Sequence, residues 1–413
     1  MTIPLAAPGH MGVDYETRVD FDRLRSYRLE RARKALAGSD CGAFLLFDFY
    51  NIRYTTQTWI GGALGDKMTR YALLTRSSSG PTLWDFGSAA RHHKLFAPWL
   101  GESNSRAGML GMRGAIAPSA GLMESAVREI KGMLSDAGLA GQPVGVDIVE
   151  PPFLFEMQRQ GLEVVDAQQL MLDARMIKSP DEIMLLNQAA AMVDGVYQDI
   201  VEVLKPGIRE NEIVALANKR LYEMGSDQVE AINAVSGERC NPHPHNFTDR
   251  LIRPGDQAFF DIIHSFNGYR TCYYRTLGVG SATASQRDAY TKAREWMDAA
   301  IAAVRPGAGT DEIAAVWPRA TEFGFENEMA AFGLQFGHGL GLGLHERPII
   351  SRLNSMTEPV ELKVGMVFAL ETYCPASDGF SAARIEEEVV VTEDGPRILT
   401  LFPAQDLVVA NPY

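Results

Sequence analysis

Apolar and polar positions follow helical and strand-like periods along the first part of the chain. The pattern predicts an amphipathic helix over residues 21–37 and a second helix over residues 120–136. It predicts buried strands at the apolar runs Ala43–Phe47, Tyr71–Leu74, Thr82–Phe86 and Val144–Val149. Alternating strands and helices are typical of an α/β domain, which we expect to occupy residues 1–173 and to begin with an arm of no clear period over residues 1–20.

A helix-start signal marks the beginning of a second unit. Ser179 is a suitable N-cap, Pro180 fits the first helical position, and Glu182 completes a capping box. The helical pattern that follows has few breakers and ends at Lys205-Pro206-Gly207.

The segment that ends this helix recurs later in the chain. Leu204–Gly207 precedes a Glu-Ile pair, and the similar segment Val304–Gly307, 100 residues further on, precedes another. An apolar run that leads from a glycine to an acid also occurs twice, ending once at Asp261 and once at Glu371. These echoes predict an internally duplicated α+β domain over residues 174–413, whose two halves face each other around a pseudo-twofold axis and bring their acids together.

The composition narrows the class of protein. The chain has 413 residues, which suits two domains, and 46% of them are hydrophobic, as in ordinary globular proteins. A net charge of −13 argues against nucleic acid or an anionic membrane as a partner, and no apolar run is long enough to span a bilayer. The start of the chain lacks the features of a signal peptide, and the four scattered cysteines suit a reducing cytoplasm.

Side chains that bind metals occur at corresponding places in the two halves of the second domain. Asp261 ends an apolar run, and Cys272 follows it across an Asn-Gly turn that is typical of a hairpin. Glu371 and Glu386 lie on either side of a second turn, and His338 lies in a glycine-rich segment that leaves its ring accessible. Carboxylates with an imidazole suit Mn, Fe, Co or Zn, so we predict a metal centre that activates a water and polarises a carbonyl.

These motifs resemble those of one protein family. The segments FGHGLG around His338, MVFALE ending at Glu371 and ARIEE around Glu386 look like ligand segments of the pita-bread metallopeptidases. The segment from Asp261 to Thr276 is similar to the hairpin that carries two aspartates in that family. The resemblance implies a creatinase/prolidase N-terminal-like α/β domain followed by a pita-bread catalytic domain.

The similarity extends over the whole chain. The segment RMIKSPDEI at residues 175–183 resembles the hinge that opens the catalytic domain of prolidase and creatinase relatives. Residues 27–31 and 47–54 are especially similar to the bacterial dimethylsulfoniopropionate lyase branch. The resemblance therefore implies the fold more specifically than it implies the substrate.

The resemblance also implies a set of metal ligands. Asp261, His338, Glu371 and Glu386 match four of the family's five ligands, and the fifth, an aspartate in the family, falls on Cys272. A thiolate can bind Zn or Fe, so the implied cofactor is a divalent transition metal (Fe, Zn or Mn) present as one or two ions. Alternatively, Cys272 does not bind and one metal is lost.

Several further histidines are candidates for the chemistry. His345 matches the family's histidine that contacts the substrate or stabilises the intermediate, whereas the lyase branch has an aspartate base there. Either His243 or His245, with a slight preference for His243, matches the histidine that passes a proton to the leaving nitrogen. His264 is a weaker candidate for a replacement metal ligand.

Two arginines are candidate substrate contacts. Arg70 lies near the place where small-substrate relatives bind a carboxylate, and a guanidinium pairs with a carboxylate through two hydrogen bonds. Arg384 lies inside the ARIEE segment, next to the predicted ligands. In creatinase-like dimers the N-terminal domain leans over the partner's site, so we expect a homodimer.

The sequence thus favours a cytoplasmic metal-dependent hydrolase of a C–N bond, amide, peptide or amidine, in a small or dipeptide-like substrate. In this hypothesis Glu371 moves the proton and His345 steadies the developing oxyanion. The first alternative is a lyase that acts on a small zwitterion such as dimethylsulfoniopropionate. The second is a non-catalytic binding protein with an eroded site.

Overall fold

The computed structural model describes residues 19–61, 69–108, 110–111 and 114–413. The predicted N-terminal arm lies almost wholly outside these residues. Within them the chain forms three β-sheets, one from the first part of the chain and two from the second. Among the helices of this described part, none combines the length and the apolar character needed to cross a bilayer.

The N-terminal domain is a mixed six-stranded sheet with helices packed on it. Its strands are β1 (Ala43–Leu46), β2 (Tyr71–Thr75), β3 (Thr82–Asp85), β4 (Ser105–Ala107), β5 (Val144–Val146) and β6 (Val164–Asp166). Its helices are α1 (Phe21–Ala37), α2 (Phe49–Thr56), α3 (Gly87–Phe96), α4 (Leu122–Asp136), α5 (Pro151–Arg159) and α6 (Gln168–Met176). The strand order is β4-β3-β2-β1-β5-β6, which confirms the predicted α/β class.

Local signals of this domain agree with the structure apart from small differences at the ends of elements. Helix α1 spans the predicted residues because the side chain of Asp20 caps it, accepting the backbone N–H of Arg23 at 3.0 Å. The strand that was expected to reach Val149 ends at Val146. At the next residue the side chain of Asp147 accepts the backbone N–H of Phe47 at 2.7 Å.

The long helix α7 (Pro180–Val203) begins as the sequence predicts. The hydroxyl of Ser179 accepts the backbone N–H of Glu182 at 3.3 Å, and the Glu182 carboxylate accepts the backbone N–H of Ser179 at 2.8 Å. This reciprocal pair is the predicted capping box. The domain boundary expected between residues 173 and 174 falls inside α6 and stays a prediction.

The second domain consists of two sheets that face each other, each with helices on its outer side. Its further helices are α8 (Glu210–Glu223), α9 (Ala284–Ala303) and α10 (Thr310–Ala315). Its strands are β7 (Gln228–Ser236), β8 (Gln257–Phe266), β9 (Tyr269–Val279), β10 (Phe336–Gly339), β11 (Glu346–Ile350), β12 (Val367–Pro375), β13 (Ala382–Thr392), β14 (Gly395–Ile398) and β15 (Val408–Ala410). One sheet has the order β15-β9-β8-β7 and the other β11-β10-β12-β13-β14.

The two halves of this domain repeat the same local structure. Gly207 lies in the connection between α7 and α8, where it has a φ of 93° and donates its N–H to the carbonyl of Ile252 at 2.8 Å. Gly307 occupies the equivalent place with φ 83° and donates to the carbonyl of Leu362 at 2.9 Å. A positive φ favours glycine, which explains why both copies contain it. The predicted internal duplication is therefore confirmed.

A tight hairpin joins β8 to β9. Its two-residue loop is Asn267 (φ 49°) and Gly268 (φ 86°), the left-handed pair that the Asn-Gly signal predicts. The register places Asp261 and Cys272 two positions apart along the ladder, so their side chains lie on the same face of the sheet.

Strands β12 and β13 form the matching hairpin of the other sheet. Glu371 lies directly opposite Glu386, so both carboxylates point to one face. Polar bonds join this hairpin to β9: Arg275 donates to the carbonyl of Glu386 at 2.6 Å, and the Thr276 hydroxyl donates to the carbonyl of Arg384 at 2.7 Å. These bonds fix the distance between the two sheets and bring the acids of both halves together.

Candidate metal centre

Five side chains from both sheets meet in the centre of the second domain. Each of them is buried, and His338 and Glu386 have no exposed surface. The Cys272 Sγ lies 3.3 Å from Asp261 Oδ1 and 3.8 Å from Glu386 Oε2. His338 Nε2 lies 3.5 Å from Glu371 Oε1 and 3.8 Å from Glu386 Oε1. The structure thus brings together every residue that the sequence predicted as a metal ligand.

The donor atoms in this cluster fit a bound metal ion. One donor atom each from Cys272, His338 and Glu386 lies within 4.8 Å of the others. His338 Nε2 and Glu386 Oε1 are buried and have no hydrogen-bond partner among the described residues. Unpartnered buried polar atoms are costly and uncommon, and here they converge on one point. A nitrogen, an oxygen and a sulfur donor in that arrangement suit a divalent transition metal.

The electrostatics of the cluster are those of crowded negative charge. Burial raises the pKa of Asp261 to about 6, and the charge of Glu371 adds to that shift. Burial and the same neighbour raise the pKa of Glu386 well above its usual range. For His338 burial lowers the pKa, but Glu371 and Glu386 outweigh it and raise the value to about 10. A cation between the carboxylates would favour the ionised forms of Asp261 and Glu386, which burial and the charge of Glu371 disfavour.

Glu371 is the exception among the carboxylates. Burial raises its pKa, but Arg384 and His338 outweigh that effect and hold the value at about 2. The Arg384 guanidinium donates a very short hydrogen bond to Glu371 Oε2. Glu371 is therefore ionised at pH 7, whereas burial and the charge of Glu371 favour the protonated forms of Asp261 and Glu386.

Polar side chains outside the predicted set hold the ligands in place. Asn233 on β7 lies opposite Asp261 in the ladder, and its Nδ2 donates to Asp261 Oδ2 at 2.8 Å. Glu388 Oε1 accepts the backbone N–H of Cys272 at 2.9 Å, and burial raises the pKa of Glu388 to about 8. Sequence reasoning missed both residues. The signal for Asn233 was its position opposite Asp261 on the neighbouring strand. The signal for Glu388 was its position two residues after Glu386 on the same strand.

The Pro-His-Pro-His loop brings two imidazoles to the edge of the site. The ring of His243 is half-buried against Tyr274 and Tyr373, with ring centroids 6.2 and 5.7 Å apart. His245 is exposed, and its ring centroid lies 4.5 Å from that of His243. Burial and the positive charge of Arg384 lower the pKa of His243 to about 3, so the ring is neutral at pH 7.

His345 lies at the mouth of the cluster. Its ring centroid is 4.5 Å from that of His338, and its side chain is exposed to solvent. Burial of its inner face and the charge of His338 lower the pKa of His345 to about 4. The ring is therefore a neutral hydrogen-bond donor and acceptor beside the candidate ligands.

Arg384 lies in the wall of the same site. Its guanidinium is 4.6 Å from the ring centroid of Tyr274, and its NH2 donates to the carbonyl of Gly333 at 3.0 Å as well as to Glu371. Its Nε and NH1 have no hydrogen-bond partner among the described residues. Arg384 therefore has two free donors close to the metal-ligand cluster.

Two other expectations are corrected by the structure. The Arg70 guanidinium is buried in the N-terminal domain, where it donates to Asp85 at 2.5 Å and to the carbonyl of Thr58 at 2.7 Å. It is therefore not offered to a substrate carboxylate. His264 faces away from the cluster, and its Nε2 lies 2.9 Å from the carbonyl of Ala189, so it does not replace a metal ligand.

The profile of metallopeptidase family M24 matches residues 184–393 of the chain. The probable dipeptidase PepE of Mycobacterium tuberculosis is 30% identical over 285 residues, which cover 67% of this chain and 73% of the relative. The Xaa-Pro dipeptidase of Pyrococcus furiosus is 30% identical over 232 residues, 55% of this chain and 64% of the relative.

Solved structures share the fold over nearly the whole chain. The dipeptidase PepE from Mycobacterium ulcerans superposes with a TM-score of 0.75 at 23% identity, covering 95% of this chain and 99% of that one. The prolidase from Pyrococcus furiosus gives a TM-score of 0.70 at 22% identity, covering 89% of this chain and 98% of that one. With its two facing half-domains and its family profile, the chain belongs to metallopeptidase family M24 and has the pita-bread fold.

Proposed function

We propose that this chain is a metal-dependent hydrolase of a C–N bond in a small or dipeptide-like substrate, of the Xaa-Pro dipeptidase or creatinase type. The observation that carries the proposal is the convergence of donor atoms from Cys272, His338 and Glu386 in a buried site. The dipeptidase and Xaa-Pro dipeptidase relatives support the substrate class.

The metal would be held by ligands from the predicted set of Asp261, Cys272, His338, Glu371 and Glu386. When bound, a divalent ion of Fe, Zn or Mn activates a water and polarises the scissile carbonyl or amidine carbon. The unpartnered Nε2 of His338 and Oε1 of Glu386 support this assignment.

The remaining residues supply proton transfer and orientation. Glu371, whose Oε1 lies 3.5 Å from His338 Nε2, would move the proton of the attacking water. His243, or its neighbour His245, would pass a proton to the leaving nitrogen, since a neutral imidazole has one donor and one acceptor nitrogen. His345 would donate to the oxyanion that develops beside His338.

Arg384 would bind an anionic group of the substrate. Its Nη2 is engaged by Gly333 and Glu371, so Nε and Nη1, which have no hydrogen-bond partner among the described residues, would each offer single N–H donors to that group. The free carboxylate of a dipeptide is such a group, which favours a small substrate over a long peptide.

We further propose that the protein is a cytoplasmic homodimer that binds neither nucleic acid nor membrane. The family resemblance supports the dimer, and the net charge of −13 disfavours anionic partners. The four cysteines are buried and free, which suits a reducing compartment. Light scattering of the purified chain tests the dimer: a mass of one chain would contradict it.

The activity is tested with metal-loaded protein against Xaa-Pro dipeptides, other dipeptides, creatine and dimethylsulfoniopropionate. We expect dipeptide cleavage, and we expect His243→Ala to lower kcat by about 10²- to 10⁴-fold. His92→Ala is the matched control, because His92 is an exposed histidine of α3 in the N-terminal domain, and it should leave kcat unchanged.

Other outcomes have distinct meanings. Cleavage of dimethylsulfoniopropionate without dipeptide hydrolysis would replace the proposal with the lyase alternative. Turnover of none of the four substrate classes would reject the proposed activity in favour of a binding protein. A larger loss of kcat in His245→Ala than in His243→Ala would transfer the proton-passing role to His245.

A further inference from the structure

The five candidate ligands are not equally free to bind a metal. Glu371 Oε2 is held by Arg384, and Asp261 Oδ2 is held by Asn233 at 2.8 Å. Each of these two carboxylates therefore keeps one oxygen engaged with a protein donor.

The other three candidate ligands approach one point from opposite sheets. Cys272 reaches it from β9, and His338 and Glu386 reach it from β10 and β13. The pairs Cys272 Sγ to Glu386 Oε2 and His338 Nε2 to Glu386 Oε1 are both 3.8 Å apart. Ligand bonds of about 2.0–2.3 Å at a tetrahedral ion put donor atoms about 3.3–3.8 Å apart. The two 3.8 Å distances end on different oxygens of Glu386, and one donor atom of each of the three residues lies within 4.8 Å of the others, so a small inward movement of the side chains would bring all three to one ion.

Cys272 also changes the kind of ion that the site prefers. A carboxylate at this position offers two hard oxygen donors, whereas the thiolate offers one soft sulfur donor. Sulfur together with imidazole favours Zn²⁺, Fe²⁺ or Co²⁺, while Mn²⁺ and Mg²⁺ prefer oxygen ligands. Three protein ligands leave a fourth position open for water or substrate, as catalytic zinc sites do.

We propose that the centre binds one ion of the zinc or iron(II) class through the thiolate of Cys272, the imidazole of His338 and the carboxylate of Glu386. Asp261 and Glu371 border this ion as hydrogen-bond acceptors, held by Asn233 and Arg384. On binding, the Cys272 S–H bond is broken, the sulfur–metal bond forms, and the proton leaves to solvent. The inference refines the metal site of the proposed function but does not depend on which substrate is cleaved.

The experiment uses the full-length protein, freed of metal with a chelator and titrated with Co²⁺ without substrate. We expect one ion per chain by equilibrium dialysis and mass spectrometry. We also expect the near-ultraviolet charge-transfer band of a thiolate–cobalt bond. Zn²⁺ added in competition should remove this band.

Three variants make the assignment specific. Cys272→Ser should abolish the band, whereas Cys41→Ser, at a buried cysteine of the N-terminal domain, should retain it. Cys272→Asp should also lack the band and should bind Mn²⁺ at least about tenfold more tightly than the native chain, because oxygen replaces sulfur. Circular dichroism of each variant verifies folding before its metal content is interpreted.

Two results would overturn the inference: two ions per chain without the band, or no bound ion at all. A persistent band in Cys272→Ser would also reject Cys272 as the ligand. If one ion and the band are found but no C–N bond is cleaved, the proposed hydrolase activity fails while the ligand assignment stands. The two proposals are therefore tested separately.

Discussion

Glu346 and Glu386 are both fully buried carboxylates of the second domain, but their surroundings differ. Glu346 lies 3.1 Å from Lys178 Nζ and 3.2 Å from Arg175 Nε, and it accepts the backbone N–H of Gly343 at 2.8 Å. Burial raises its pKa, but Lys178 and Arg175 outweigh burial, so the net shift is downward. Glu386 Oε1 has no hydrogen-bond partner among the residues that the structure describes, and burial, with the charge of Glu371, raises the pKa of Glu386.

The comparison separates buried charge that maintains structure from buried charge that is available for chemistry. Glu346 forms ion pairs with two buried cations, and its bond to Gly343 holds the loop that carries His345. Space around it is tight, since a Cβ added to Gly341 would lie 2.5 Å from Glu346 Oε2. Burial and the charge of Glu371 disfavour the ionised form of Glu386, and a bound cation would offset that effect.

Glu346→Gln should give the largest change in stability. The substitution leaves Arg175 and Lys178 buried without their counter-charge, so we expect the free energy of unfolding to fall by about 3–5 kcal/mol. Urea unfolding monitored by circular dichroism measures the change. The control Glu358→Gln, at an exposed glutamate, should change the value by less than about 0.5 kcal/mol. Equal values for both variants would mean that Glu346 has no structural role.

Glu386→Gln should have the opposite sign in the metal-free protein. Removing a carboxylate whose ionised form is disfavoured should leave the free energy of unfolding unchanged or raise it by about 1 kcal/mol. The same urea experiment, with a chelator present, gives the answer. If the free energy of unfolding fell as much as in Glu346→Gln, Glu386 would stabilise the fold in the same way as Glu346.

Asp147 is an intermediate case and should give the smallest effect. It accepts three hydrogen bonds, from Phe47 N, Asp48 N and Asn51 Nδ2. Burial nevertheless raises its pKa to about 7. Because the folded pKa lies above the unfolded one, its stabilising contribution is complete below about pH 4 and is lost as the pH rises through about 7.

This pH dependence can be isolated with Asp147→Asn. Since the carboxyl is only partly buried, water screens it, and we expect the native chain to lose no more than about 1 kcal/mol relative to the variant between pH 4 and pH 8. Thermal unfolding of both proteins across that range measures the difference. If the stability of both proteins changed equally with pH, ionisation of Asp147 would not destabilise the native state.

Local signals predicted the elements, and the internal repeat predicted where the acids would meet. The Asn267-Gly268 turn and the Ser179 cap act within a few residues, so the sequence is sufficient to predict them. The Lys178–Glu346 pair joins residues 168 positions apart, and no period in the sequence signals such a partner. The predicted role of Arg70 as a substrate contact was wrong for the same reason. Its position beside a strand does not show that its buried partner is Asp85.

Neither half of the second domain has a complete set of ligands. Cys272 belongs to one sheet, and His338 and Glu386 belong to the other. A bound ion would therefore crosslink the two halves, and it could bind only when the two sheets are packed together. At a free ion concentration of 100 times Kd, binding to the native state alone adds about 2.7 kcal/mol to the free energy of unfolding. The concentration of free ion would then determine how often the chain unfolds far enough for a protease to cleave it.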